Sequence, residues 1–359
     1  MSARQYGLRR GERGVGLMEI MISIVIGMLL VLVIYQVYEI SESQKRTITA
    51  GSDAQQNASY SQFVLGRDIS MAGNGIASSA AALDQCAILR PIPVVIDAGA
   101  DDNTPDTVTV LYGGSSSLST SVPFRASATT GDPYIVAGPV GFSPNDVIAA
   151  IRPGTNICTL SVVTGISGLP NPNGEVTLAQ TPFPGSAAAS YSAGSVVVNL
   201  GQAASMGRVA YTVDTTGHVL RTQNLLPTAG LASPAPVVND VINLKAQYGL
   251  DTDNDGSIDT WQDATGAVWS AANLPTQPLA TLQQIRAVRI AIVTRSAQYE
   301  KDALTAGTPP GMPDGTIGLF CNPVPTCAAS MSLSADDQHY RYKVLETSVP
   351  LRNAMWNGS

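Results

Sequence analysis

Charge is scarce in this chain. Of 359 residues only 13% are Asp, Glu, Lys or Arg, and only 6% are aromatic. Acidic residues number 27 against 20 basic ones, which argues against nucleic acid as a partner, because that binding rests on basic patches. The sequence has no Gly-rich phosphate loop, no Gly-x-Ser-x-Gly elbow and no zinc-protease helix. Histidine is limited to His218 and His339, and neither sits in a catalytic pattern. No enzyme and no small-molecule substrate are expected. Zinc is disfavoured too, since no Cys-x-x-Cys occurs. Gly (33) and Pro (23) are too near ordinary usage for collagen or wholesale disorder. The length suggests about two domains, or one elongated domain with long loops.

What is present is unevenly placed. Residues 1–14 hold Arg4, Arg9, Arg10 and Arg13 against Glu12 alone, so a basic stub precedes an acidic body. From Val15 to Ile34 the chain is apolar except for Glu19 and Ser23, and Tyr35-Gln36-Val37-Tyr38 follows. About 20 helical residues cross a ~30 Å hydrocarbon core. The arginines place residues 1–14 in the cytoplasm and the body outside. A cleaved secretory peptide fits poorly, because no small-x-small site follows the run. An ordinary anchor leaves Glu19 unexplained, since a carboxylate in a spanning segment costs about 2.5–3.5 kcal/mol on insertion scales. Were the chain cut after Gly14, Val15 would carry a free ammonium able to neutralise Glu19, in its own or a neighbouring subunit.

That arrangement resembles the class III signal of type IV pilins and pseudopilins: a short basic leader, Gly before the cut, and Glu at the fifth mature position of a hydrophobic helix. Val15 departs from the family's usual Phe. The resemblance implies cleavage and N-methylation by a prepilin peptidase at the inner membrane. It implies a type IV pilin-like lollipop of α+β class, a long amino-terminal helix packed on an antiparallel β-sheet head. The expected divisions are a leader at 1–14, a transmembrane and assembly half-helix at 15–38, an amphipathic half-helix at 39–73 and an extracytoplasmic head at 74–359. Proline is absent between Val15 and Pro91, apolar residues recur loosely at helical spacing from Ile40 to Met71, and Gly73-Asn74-Gly75 supplies a stop.

The exit of that helix, Leu65-Gly66-Arg67-Asp68-Ile69-Ser70-Met71-Ala72-Gly73, resembles that of PilW-type minor pilins, with an Arg-Asp pair before Met-Ala-Gly. The closing segment, His339 to Asn353, and its partner Ile285 to Arg295 are similar to the same family's final strands. Residues 77–240 resemble nothing familiar. In that middle, short β-branched runs predict strands at Thr107–Tyr112, Val147–Ile151, Thr159–Thr164, Glu175–Leu178, Ser195–Leu200, Arg208–Val213 and His218–Arg221. The longest candidates, Val241–Leu250, Ile285–Ser296 and Arg341–Leu351, are expected at the heart of an antiparallel sheet.

All four cysteines lie in the extracytoplasmic part, where an even count favours disulfides. Of the three possible pairings, Cys321–Cys327 closes a short loop of suitable reach, leaving Cys86–Cys158. The sharpest chemical motif is Asp251-Thr-Asp253-Asn-Asp255-Gly256-Ser257-Ile258-Asp259. Its carboxylates at positions 1, 3, 5 and 9, with Gly at 6 and a carbonyl from Ser257 at 7, match the start of a calcium loop. Position 12 is Gln262 in place of Glu, and a strand leads in where an EF-hand has a helix. The competing reading is an Asp-rich turn held by its own backbone. If calcium binds, the loop orders the turn between Val241–Leu250 and Ile285–Ser296.

The function implied is that of a minor pilin that primes type IV pilus assembly in a tip complex, with other minor pilins and a tip adhesin as partners. It would reside in the inner membrane before assembly and in the pilus at the cell surface afterwards. A minor pseudopilin of a type II secretion system, and a membrane-tethered hydrolase, are the alternatives.

Overall fold

The computed structural model describes residues 16–86, 89–114, 121–138, 141–168, 174–226, 233–303 and 307–353. The architecture is α+β, with one long helix followed by antiparallel sheets. The chain divides into two compact units, Met1–Ser52 and Asp53–Ser359.

The helix runs from Leu17 to Met71, 55 residues, or about 82 Å at 1.5 Å per residue. In the first unit its large apolar side chains lie open, from Leu17 (77% exposed) to Ile40 (60%). The segment is long and apolar enough to cross a membrane. In the second unit the same helix becomes one-sided. Ala54, Ala58, Ser61, Val64, Leu65, Asp68, Ile69 and Ala72 are buried at helical spacing.

Two sheets share a core with that buried stripe. One has five strands in the spatial order Val94–Asp97, Thr107–Tyr112, Gly207–Asp214, Val219–Asn224 and Ala235–Asn239. The other, hereafter the carboxy-terminal sheet, has the order Thr260–Asp263, Val241–Leu250, Ile285–Arg295 and Tyr342–Pro350. Val64, Leu65, Ile69 and Ala72 pack with Val94, Val108 and Val110 of the first, and with Leu244, Tyr248, Val288 and Ile290 of the second. The second face of the carboxy-terminal sheet is covered by a ribbon, Thr316–Cys321 paired with Cys327–Ser332, through Ile317, Leu319, Phe320 and Met331.

Thr107–Tyr112 and Gly207–Asp214 are direct neighbours, Tyr112 opposite Gly207. The chain between them builds a separate six-stranded sheet in the order Ser121–Pro123, Val196–Gln202, Asp146–Ile151, Cys158–Ser167, Glu175–Pro182 and Tyr134–Ala137. An antiparallel bridge between Phe124 and Val136, with Arg125 N donating to Ile135 O at 2.9 Å, joins its two edges. The sheet is thereby closed into a small barrel, a way of removing exposed strand edges. Its interior is filled by Phe124, Tyr134, Tyr191, Ile148, Leu178 and Val197.

Several expectations are corrected here. His218 is not in a strand; it sits at φ 52° in the turn before Val219. The strands Val94–Asp97, Tyr134–Ala137, Ala235–Asn239 and Thr260–Asp263, and both strands of the ribbon, went unpredicted. They are short or rich in Ser, Ala and Pro, so neither length nor alternation marks them.

Candidate functional site

Glu19 lies in the first turn of the long helix and is exposed, as are its apolar neighbours; Ser23 Oγ donates back to the Glu19 carbonyl at 2.6 Å. An acidic side chain in a first turn is favoured by the helix dipole. Gly14 and Val15 lie outside the described residues.

The helix exit is a polar lock. Asp68 is 4% exposed on the buried face of the helix. Its Oδ1 accepts from Arg67 at 2.8–2.9 Å and its Oδ2 from the Tyr211 hydroxyl at 2.6 Å. Burial and the Asp68 charge push the Tyr211 phenol well above its ordinary value, so it stays a donor. Asp68 in turn raises Arg67 further. One turn on, Gly73 takes φ 76° and its N–H donates to Leu111 O at 2.8 Å, a glycine termination in the left-handed region. Asn353 Nδ2 then donates to the carbonyls of Ala72 (3.2 Å) and Ser70 (3.4 Å), which the helix itself leaves unmatched. The Arg-Asp pair and the Pro-Leu-Arg-Asn ending, far apart in sequence, thus meet at one helix terminus. Tyr211 and Asn353 had no assigned role in the sequence reading. Asn353 lies in the closing segment His339–Asn353, whereas Tyr211 lies within the expected strand Arg208–Val213 and carries no motif.

The acidic loop occupies a different place from the one expected. It joins Val241–Leu250 to Thr260–Asp263, with Leu250 opposite Thr260, and does not lead directly to Ile285. Gln262, the expected twelfth position, is a strand residue opposite Tyr248 and outside the loop. Within the loop, carboxylate oxygens of Asp251, Asp253 and Asp259 lie within 4.8 Å of one another. Asp255 is not in that set. Its Oδ1 accepts from Ser257 N at 2.7 Å, while its own N–H donates to Asp251 and Asp253, each at 3.1 Å. Thr252 donates to Asp259 Oδ2 through both N–H and hydroxyl at 2.7 Å, holding that carboxyl below its usual range. Gly256, at φ 92°, makes the bend and donates to Asp251 Oδ2. Asp251 itself is fully buried, and Arg286 Nε reaches the same oxygen at 3.0 Å. The strand carrying Arg286 is otherwise apolar on that stretch. A buried arginine there signals a buried carboxylate opposite, and sequence reasoning passed over it.

A second buried pair lies nearby. Lys245 Nζ bonds Asp106 Oδ1, Asp101 O and Thr104 O, all at 2.8 Å, which uses all three of its donors. Beside it, Arg289 donates to Gln247 and lies between the Trp261 and Phe320 rings, at 4.8 and 4.5 Å from their centroids. These contacts tie the ribbon and the 98–106 loop to the sheet.

Both disulfides are formed and no free cysteine remains. Cys86 joins Cys158, and Cys321 joins Cys327 across the ribbon. The first fastens the segment after the helix to the barrel, within a core containing Ile76, Leu83 and Leu160.

No curated protein matches the chain. Among solved structures, a type IV-like pilin from Thermus thermophilus matches at 12% identity and a TM-score of 0.26, covering 59% of this chain and 86% of that one. Residues 210–353 match the family of type IV pilus-assembly protein W. The match takes in Tyr211, the acidic loop, the carboxy-terminal sheet and Asn353, beginning well before the segment that the sequence alone suggested. It excludes the barrel and the helix. Over residues 210–353, and over those residues alone, the chain is similar to that pilus-assembly family.

Proposed function

We propose that this protein is a minor pilin: a structural subunit, not a catalyst, that helps to initiate type IV pilus assembly and sits in a tip-associated complex. The observation that carries this is the match of residues 210–353 to a pilus-assembly family. The uncovered apolar helix with Glu19 in its first turn supports it. A prepilin peptidase would cut after Gly14 and methylate Val15. The Val15 ammonium would then meet Glu19 in a bundle of subunit helices, where an unpaired charge is expensive. Other minor pilins and a tip adhesin are its partners, first in the inner membrane and then in the pilus. The family is named for pilus assembly, which favours the pilus over a type II secretion machine.

The acidic loop we assign to calcium. Asp251, Asp253 and Asp259 are the carboxylates that converge, and oxygen-only ligands select a hard cation. Three converging carboxylates are fewer than calcium's 6–8 oxygens, and Arg286 already shares Asp251, so binding is weak and the Ser257 carbonyl and water complete the shell.

Mass spectrometry of the purified protein tests the central reading: the expected amino terminus is methylated Val15. In Glu19→Ala, membrane insertion persists while co-purification with partner pilins is lost. An uncut leader, a start beyond Tyr38, or unchanged co-purification in that variant would overturn it.

A further inference from the structure

Asp251 is held from two directions. From inside the acidic loop, the Asp255 N–H reaches its Oδ1 and the Gly256 N–H its Oδ2, each at 3.1 Å. From the neighbouring strand, Arg286 Nε reaches the same Oδ2 at 3.0 Å. The Asp251 N–H adds a further tie, to the Gln284 carbonyl at 2.9 Å. Asp251 is fully buried and Arg286 is 8% exposed. One carboxylate therefore sets both the bend of the loop and the place of residues 284–286.

Those residues in turn grip the end of the long helix from two sides. On one, the Arg286 carbonyl accepts from Leu351 N at 2.8 Å. Leu351 is fully buried in the core that holds Val64, Leu65 and Ile69. It stands two residues before Asn353, whose amide closes on the carbonyls of Ser70 and Ala72. On the other side, Leu279, Leu282 and Gln283 line a small apolar cleft together with Gly73, Ile76 and Ala77. Bonds and packed side chains thus run without a gap from the loop to the helix terminus, which is the physical means by which two places can be coupled.

We propose that the Asp251–Arg286 pair is a relay: whatever draws Asp251 away from Arg286 loosens the cap that Asn353 places on the helix. Only the effector rests on the reading of the loop as a calcium site. Asp251 Oδ2 serves the loop and Arg286 at once, so a cation ligated by that oxygen competes with the guanidinium. Arg286 then no longer fixes the partner of Leu351, and the last turn of the helix opens more often. The coupling is reciprocal, so a firm cap disfavours the cation. Calcium therefore has two effects of opposite sign, favouring the folded chain over the unfolded one while loosening one helix end within it.

Hydrogen exchange of the full chain in detergent micelles, read by mass spectrometry, tests the relay with calcium at about 10 mM and with chelator. Calcium should slow exchange across the loop, 252–258, and speed it at 72–76 and at Leu351 by about fivefold or more. Segments 60–66 and 147–151 should stay as they were. Asp251→Asn should show the faster cap exchange without calcium and no further response to it. Arg286→Lys, which shortens the reach to Asp251 and keeps the charge, is the milder variant with the same expected result. Asp253→Ala removes a ligand and leaves the Arg286 contact alone, so it should keep the slow cap and lose the calcium response. Calcium that protects the loop and leaves 72–76 unchanged would overturn the relay. A loop indifferent to calcium counts against the calcium reading alone. The Asp251 and Arg286 variants then decide, an unchanged cap refuting the relay and a faster one upholding it.

Discussion

Inside the barrel, the buried carboxylate Asp146 is held by neutral donors, Ser143 N at 2.7 Å and Asn199 Nδ2 at 2.8 Å with Gln202 Nε2 beside them, and the rings of Tyr134 and Tyr191 pack against Phe124. Inside the carboxy-terminal sheet, buried carboxylates meet cations: Asp251 with Arg286, Asp106 with Lys245. Residues 121–202 carry only Arg125, Arg152, Asp132, Asp146 and Glu175 as charges. The first region is secured by packing and a disulfide; the second adds specific ion pairs to its packed core and ribbon disulfide. Ion pairs set in an apolar interior are costly to break but add little net stability. What they add is particular to position, and Asp251, Arg286 and Lys245, but not Asp106, fall within the matched residues 210–353.

The comparison can be broken by five tests. The largest effect is expected from Asp251→Ala, which strands the buried Arg286 charge. Losing one partner of a buried pair costs about 3–5 kcal/mol, measured as a shift in urea midpoint; a cost below about 1 kcal/mol would mean that Arg286 finds water instead. Next comes the staple to the barrel. Cys86→Ser with Cys158→Ser opens a link across 72 residues and should cost about 2–4 kcal/mol. Its signature is selective, with faster hydrogen exchange across 121–202 and little change in 241–295.

Titration strikes both regions. Burial pushes the Tyr134 phenol in the barrel and the Tyr342 phenol on the carboxy-terminal sheet up to about 12. Each folded site favours the neutral phenol, so this stability is full below about pH 10, where the unfolded phenol ionises. It is lost as pH rises from 10 towards 12, and Tyr134→Phe should flatten the barrel's share in a thermal-melting series. His218 gives the acid counterpart. Burial and then Arg295 lower its pKa, so the fold favours neutral imidazole. Stability is complete above about pH 6.5 and falls as pH drops through that unfolded value towards the lower folded one. His218→Asn, which tolerates the positive φ, should remove that slope; an unchanged slope would assign it elsewhere. The smallest effect is calcium. With a Kd on the order of 10⁻⁴–10⁻³ M, calcium at ten times Kd adds about 1.4 kcal/mol, a rise of a few degrees at most. Asp253→Ala should abolish the rise, and a rise that survives it would place the ion at another site.

How much of this was legible in the sequence follows the same division. The helix could be read from its missing prolines and its glycine stop, and Val241–Leu250 and Ile285–Arg295 from long apolar runs that only a buried strand needs. The barrel's individual strands were partly visible, but its closure was not. Closure rests on a pairing of Phe124 with Val136, two residues that carry no mark of each other. The acidic loop was found and misplaced, because Thr260–Asp263 is too short and polar to announce itself as the strand that ends it. Asp251 was read as a ligand with no thought of Arg286, whose burial is a tertiary fact.

The cap that Asn353 places on the helix also sets an order of events. Asn353 and Ala72 are 281 positions apart, and a chain emerging amino terminus first exposes the helix end long before its cap exists. Until residue 353 arrives, the carbonyls of Ser70 and Ala72 are left to water. A product cut short during synthesis therefore lacks the finished helix terminus, and proteolysis has an open end to act on. The turn that follows Tyr342–Pro350 certifies the first helix.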